Sequence, residues 1–173
     1  AISFWDTRQL ADTIARFPYT VAFAYTVDET NWMADLLLPE ATDLESLQLI
    51  RVGGTKFMEQ FWEHKGVVLR QPAVAPQGDT RDFTWISTEL ARRTGLLEAY
   101  NRALNKGTAG VSPLAGEGYD FSLDPAVAHP VDEVWDAVCK AATTTLSGGT
   151  ETRDLAWFRE HGFYTVPMSK LDW

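Results

Sequence analysis

Apolar residues near the start of the chain recur at helical spacing. Leu10, Ile14 and Phe17 lie at positions i, i+4 and i+7 and would form one apolar face. Asp6 precedes this pattern as a plausible N-cap, and Gln9 three residues later is a variant of the capping box. The pattern therefore predicts a first helix from Asp6 to Phe17, ended by a proline that lacks a backbone N–H.

Two short apolar runs follow this helix and predict strands. The first covers residues 19–25, and the second covers 34–39 and stops at Pro39. The order helix, strand, loop, strand is half of a doubly wound unit, whose other half would begin with a strand before residue 1. We therefore expect an α/β fold: a three-layer αβα domain with a mostly parallel, Rossmann-like sheet. Both chain ends look cut, which suggests a piece of a larger polypeptide.

The middle of the chain gives weaker signals. A glycine pair at 53–54 indicates a turn, residues 56–64 fit either a helix or a loop, and residues 67–69 indicate a short strand. The clearest later helix runs from Asp82 to Thr94, with Phe83, Ile86 and Leu90 on one face and a glycine at the C′ position. A second short helix is predicted over 96–104.

The last third of the chain has a different character. Residues 107–130 are rich in Gly, Pro, Ser and Asp and predict an irregular excursion within a single domain of residues 1–173. Pro130 is expected at the first position of a helix. Its buried face would comprise Val131, Val134, Val138 and either Ala141 or Ala142. A loop over 143–150, a helix over 152–161 and a strand over 163–166 complete the prediction.

Composition and charge narrow the possible partners. The 173 residues include 45% hydrophobic residues, enough for a sizeable core, and carry a formal net charge of −9. This charge repels nucleic-acid backbones, and no cluster of Lys and Arg opposes it, so no nucleic-acid partner is expected. No apolar run reaches the length of a membrane span, so no direct membrane insertion is expected. A single cysteine, Cys139, excludes an internal disulfide framework and leaves the compartment open.

Familiar catalytic motifs are absent from the sequence. There is no nucleophile motif, P-loop, HExxH or GxGxxG. The three histidines are scattered; a structural role is expected for His161 at a helix end and a solvated turn for His64. Cys139 lies on an apolar helical face and is expected to be a small buried hydrophobe.

Acidic side chains follow both predicted N-terminal strands. Asp28 and Glu29 follow the first, and Glu40, Asp43 and Glu45 follow the second. Ligands of open α/β sheets bind outside the carboxyl ends of the strands. Carboxylates there could accept hydrogen bonds from a guanine edge or from sugar hydroxyls, although N-capping and solvation are the commoner roles of such residues.

Three segments resemble the molybdopterin oxidoreductases, the dimethyl sulfoxide reductase family. Residues 30–45, TNWMADLLLPEATDLE, resemble a signature that follows a strand in that family. Residues 71–79, QPAVAPQGD, and residues 82–95, DFTWISTELARRTG, resemble two further family segments. The matches keep a consistent order and spacing over roughly residues 1 to 95.

This resemblance implies a function and a set of contacts. The chain would be part of a catalytic subunit, binding one molybdopterin guanine dinucleotide of a molybdenum or tungsten cofactor. The expected cofactor contacts are the strand end at Ala24 and Tyr25, the loop at Glu45 and Ser46, and Asp82. Ala24 stands where family members often carry Asp, so backbone groups or Tyr25 would replace that side chain, and Ser46 stands where some members carry Lys.

The resemblance also implies partners and leaves two alternatives. The partners would be the rest of the catalytic subunit and an iron–sulfur electron-transfer subunit, with an iron–sulfur cluster elsewhere in the full subunit and no catalytic or metal-ligating residue in this piece. One alternative is a stand-alone binding or assembly module without redox activity. The other is a small α/β enzyme that holds Mg²⁺ on Glu40, Asp43 and Glu45.

Overall fold

The structure is a computed structural model that describes residues 6–52, 64–108 and 111–168. Helices and strands are mixed along the chain, which confirms the predicted α/β class. The helices are α1 Thr7–Ile14, α2 Phe83–Arg93, α3 Leu97–Lys106, α4 Val131–Leu146 and α5 Leu155–His161. The strands are β1 Val21–Ala24, β2 Leu36–Pro39, β3 Gln48–Val52, β4 His64–Arg70, β5 Ala115–Gly116, β6 Tyr119–Asp120 and β7 Phe163–Pro167.

Strands β1 and β2 form a parallel pair, as the sequence predicts. Val21 pairs with Leu36 and Ala24 with Pro39. The Asp35 carboxylate fixes the start of the pair, because its Oδ2 accepts from the backbone N of Thr20 at 2.7 Å and from the Thr20 hydroxyl at 3.0 Å. Asp35 is therefore a scaffold residue that sets the register of the two strands.

The larger sheet differs from the expectation. Its three strands have the order β3–β4–β7, and both pairings are antiparallel. Within the described residues, parallel strand pairing is confined to β1 and β2, so the Rossmann-like comparison extends only to that pair. The strand predicted at 67–69 is longer than expected, because β4 continues the antiparallel ladder in both directions.

One face of the antiparallel sheet carries the main apolar core. Helices α4 and α5 pack there, and Phe158 and Cys139 are fully buried among Val67, Leu69 and Leu155. The predicted buried face of α4 is confirmed at Val134, Ala141 and Ala142. The helix runs on to Leu146, so the loop predicted over 143–150 begins later, and Pro130 is the N-cap rather than the first helical residue.

The predicted irregular excursion, 107–130, contains ordered structure. Strands β5 and β6 form a short hairpin, and Leu114 and Leu123 join a second buried cluster with α4. Asn101, only 1% exposed, donates from its amide to the carbonyls of Asp124, Pro125 and Val127. Hydrogen bonds to its backbone carbonyls therefore hold this segment in one conformation, despite its turn-rich composition.

Other boundaries follow the local capping chemistry. The Asp6 carboxylate accepts from the backbone N of Gln9, and α1 ends at Ile14, earlier than predicted. Asp154 caps α5, which shortens that helix to 155–161. The glycine pair at 53–54 and most of 56–64 lie outside the described residues. Among the described residues, no helix combines the length and apolar character needed to cross a bilayer. The single-domain assignment stays a prediction.

Candidate functional site

The carboxyl ends of the parallel strands meet the start of α2. The backbone N of Glu40, just after β2, donates to the Ala24 carbonyl at 3.2 Å. Glu40 also forms an isolated parallel bridge with Arg81, and the next amide, Ala41 N, donates to the Arg81 carbonyl at 2.9 Å. We call the residues gathered here the strand-end site: Ala24, Tyr25, Glu40, Glu45, Ser46 and Asp82.

An aromatic contact holds α2 against the strand pair. The rings of Phe23 in β1 and Phe83 in the first turn of α2 meet edge to face, with centroids 5.8 Å apart. Of the three residues predicted to share one face of α2, Ile86 is buried, whereas Phe83 and Leu90 are 50% and 42% exposed. The N-terminal end of α2 therefore contacts β1 at the strand-end site.

Asp82 has two structural roles in this site. Its Oδ1 caps α2 by accepting from the backbone N of Thr84 at 2.8 Å, and its Oδ2 accepts from the backbone N of Leu47 at 3.0 Å. The second bond ties α2 to the segment that follows β2. An ionised carboxylate can accept about four hydrogen bonds, so Asp82 retains capacity for further donors beside the two amides.

Glu45 is buried and organises the loop around it. Its Oε2 accepts from the amide and hydroxyl of Thr42, at 2.8 and 2.9 Å, and its Oε1 accepts from the backbone N of Gln77 at 2.9 Å. The hydrogen bond from the Thr42 amide, and after it the one from the Gln77 amide, lowers the pKa of the Glu45 carboxyl. The ionised form of Glu45 is therefore favoured and holds two loop segments together. Both of its oxygens already accept hydrogen bonds, so Glu45 has little capacity left to bind an outside ligand.

Ser46 lies beside a charged pair. Its hydroxyl oxygen accepts from Arg70 Nη2 at 3.0 Å, and Arg70 Nη1 forms an ion pair with Asp43 at 2.6 Å. Ser46 is buried, yet its hydroxyl proton is not used in this contact. Arg70 was not singled out from the sequence. Its position at the end of β4, in register with Gln48 of β3, brings it to this site from a distant part of the chain.

Ala24 and Tyr25 complete the predicted set. Ala24 contributes its carbonyl to the bond with Glu40, and its methyl group offers no polar contact. Tyr25 is 64% exposed at the end of β1. An exposed phenol ring at a strand end can stack on a planar ligand and donate its hydroxyl proton, so Tyr25 is the most accessible of the predicted contacts.

The acidic groups of the site influence one another. Partial burial, followed by the nearby charges of Asp82 and Asp43, raises the pKa of Glu40. A donor or a positive charge brought to this position would lower that pKa again. The site therefore suits a ligand edge that presents N–H donors, as guanine does, better than it suits an additional anion.

A cavity of about 300 Å³ adjoins the site on its α2 side. Its wall includes Leu38, Pro39, Arg81 and Trp85, and the Arg81 guanidinium lies over the Trp85 ring at 5.8 Å. Arg81 and Trp85 were not predicted as site residues. The sequence offered one signal for them: Arg81 directly precedes the helix-capping Asp82, and Trp85 follows it by three residues.

The remaining candidate groups are structural. Cys139 is completely buried, which confirms the prediction of a small buried hydrophobe. Its burial, and to a smaller extent the charges of Asp136 and Asp154, raise the pKa of its thiol to about 12. His161 ends α5 and stacks on Trp157 with centroids 4.2 Å apart. His64 is the exposed first residue of β4 rather than part of a turn. In the part of the chain that the structure describes, no group of three His, Cys, Asp or Glu side chains could hold a metal ion.

Comparison with known proteins gives a coarse indication of function. The chain is 26% identical over 136 residues to a protein named Probable oxidoreductase YyaE from Bacillus subtilis. The match covers 76% of this chain and 19% of the relative, so the chain spans about a fifth of the length of that protein. No protein-family model matches the chain. Similarity to an oxidoreductase is therefore what the comparisons support.

Proposed function

We propose that this chain is the part of a molybdenum or tungsten oxidoreductase catalytic subunit that binds one molybdopterin guanine dinucleotide arm of the cofactor. The observation that carries the proposal is the convergence of Ala24, Glu45, Ser46 and Asp82 at the carboxyl ends of a parallel strand pair. Supporting it are the three family-like segments and the similarity to a protein named a probable oxidoreductase.

The chemistry of the site suits the guanine end of such an arm. Guanine presents two adjacent N–H donors, and the carboxylates of Asp82 and Glu40 would accept from them. Tyr25 offers an exposed ring for stacking, and Ser46 offers a hydroxyl proton. The N-terminus of α2 is less well suited to the pyrophosphate, because the capping Asp82 carboxylate already accepts from the Thr84 amide there and places a negative charge beside it.

The redox chemistry would be supplied by the bound cofactor, and this chain would supply binding and orientation. The site contains no residue proposed here as a catalyst. The alternative of a Mg²⁺ site gains no support, because Glu45 is committed to backbone amides and Asp43 to Arg70. No observation favours a stand-alone module over a segment of a longer enzyme.

Cofactor content of the full-length enzyme tests this proposal. Asp82→Asn keeps a side-chain oxygen for the α2 cap but loses the acceptor for Leu47 N and the charge that would bind guanine. Retained molybdenum and the GMP released by acid hydrolysis should therefore fall together. Asp154→Asn, at the cap of α5, is the matched control and should leave both unchanged. Normal metal and GMP content in a folded Asp82→Asn enzyme would contradict the proposal.

A further inference from the structure

A second and larger cavity lies between the antiparallel sheet and α4. Its volume is about 520 Å³, within the range of small-molecule pockets. One wall comes from β3 and β4, and the opposite wall comes from α4, including Val134, Val138 and Leu146. Leu104 and Val111 close a third side. The wall is mainly apolar, so the cavity suits a ligand with an apolar body.

The charged residues of this cavity all have one sign. Arg51 and Lys65 line it, whereas its described lining contains no Asp or Glu. This is a marked local departure for a chain with a formal net charge of −9. Arg51 is exposed and its side chain has no ion-pair partner among the described residues. An anionic group beside Arg51 would therefore meet complementary charge.

We propose that this cavity binds an organic acid with an apolar body. Its carboxylate would lie at Arg51, and its apolar part would pack on Val134, Val138 and Leu146 of α4. None of the predicted cofactor contacts lines the cavity, and the residues placed around the acid are not part of the strand-end site. The two proposals can therefore fail separately.

Octanoate and octanol are suitable probes, since they share an alkyl chain and differ in charge. Titration of the ¹⁵N-labelled chain with octanoate should give saturable amide shifts on α4, β3 and β4. Arg51→Gln should weaken octanoate binding about tenfold, whereas Arg16→Gln, at an exposed position just after α1, should not change it. Octanol should bind the unmodified chain more weakly than octanoate does.

Two filling variants keep the test decisive. Val138→Trp and Leu104→Trp fill the cavity from opposite sides, and whichever of them retains the native amide spectrum should lose octanoate binding. Three results would overturn the proposal: no saturable shifts, shifts outside the cavity wall, or unchanged octanoate binding in a folded filling variant. Equal binding of octanol and octanoate would overturn the assignment of the ligand as an acid.

Discussion

The parallel strand pair and the antiparallel sheet are held together in different ways. Helix α1 has no buried residue, and β1 and β2 have none either. By contrast, α4 has seven buried residues, and Phe158 of α5 is completely buried. The N-terminal region depends on hydrogen bonds accepted by the carboxylates of Asp35, Glu45 and Asp82, whereas the C-terminal region depends on apolar packing.

This difference separates stability from the candidate site. Each predicted cofactor contact lies in, or directly beside, the region that has few buried apolar contacts. Regions of this kind open locally at lower free energy than a packed core does. A ligand that bridges β1, the 42–47 loop and α2 would add contacts where the chain itself provides few. The contrast can be tested by substitutions matched across the two regions.

The largest effect is expected in the apolar core. Phe158→Ala removes a fully buried ring and should lower the free energy of unfolding by about 3–5 kcal/mol. Leu37→Ala in β2, where the side chain is 39% exposed, should cost less than about 2 kcal/mol. Urea denaturation followed by circular dichroism gives both values. Equal losses would show that β2 is packed as tightly as α5.

An intermediate effect is expected where a polar group links elements. Asp82→Ala removes both the α2 cap and the bond to Leu47, so it should cost about 1–3 kcal/mol. Asp154→Ala removes a cap at α5 whose carboxylate accepts from Trp157 N, and it should cost about 1 kcal/mol. Urea denaturation compares the two variants. A smaller loss for Asp82→Ala would mean that the bond to Leu47 contributes little.

The smallest effect is expected from the titration of Glu45. Its pKa is lower in the folded chain than in the unfolded chain, so its ionised form stabilises the fold above the ordinary carboxyl range. That contribution is lost as the pH falls through the lowered folded-state pKa. The melting temperature of Glu45→Gln should therefore approach that of the unmodified chain at acidic pH. A difference between the two that does not vary with pH would contradict this role.

Local signals in the sequence predicted much of the fold. The caps at Asp6 and Asp82, the proline that ends β2 and the glycine after α5 act within a few residues, so their effects can be recognised without knowing the fold. The parallel pairing of β1 and β2 was predicted from the order helix, strand, loop, strand at the start of the chain. The antiparallel β3–β4–β7 sheet could not be predicted, because β7 pairs with β4 across about a hundred residues.

The residues named from the resemblance lie near one another in the fold, and their role in binding a cofactor stays a prediction. The resemblance identified Asp82, Glu45 and Ser46, which the structure does bring to one place. It did not indicate that Glu45 is committed to Thr42 and Gln77, or that Arg70 reaches Ser46 from β4. Such contacts depend on loops closing over long sequence separations, and no local pattern encodes them.

Guanine binding by the 173-residue chain tests the central claim most directly. Titration of the ¹⁵N-labelled chain with GDP should shift the amides of Ala24, Tyr25, Ser46, Leu47 and Asp82 and leave those of α4 and α5 unchanged. Amide shifts detect complexes with a Kd of about 1 mM, equivalent to about −4 kcal/mol, so a partial site is within reach. ADP should give no such shifts. An absence of GDP shifts at the strand-end site, or identical shifts with ADP, would contradict the account.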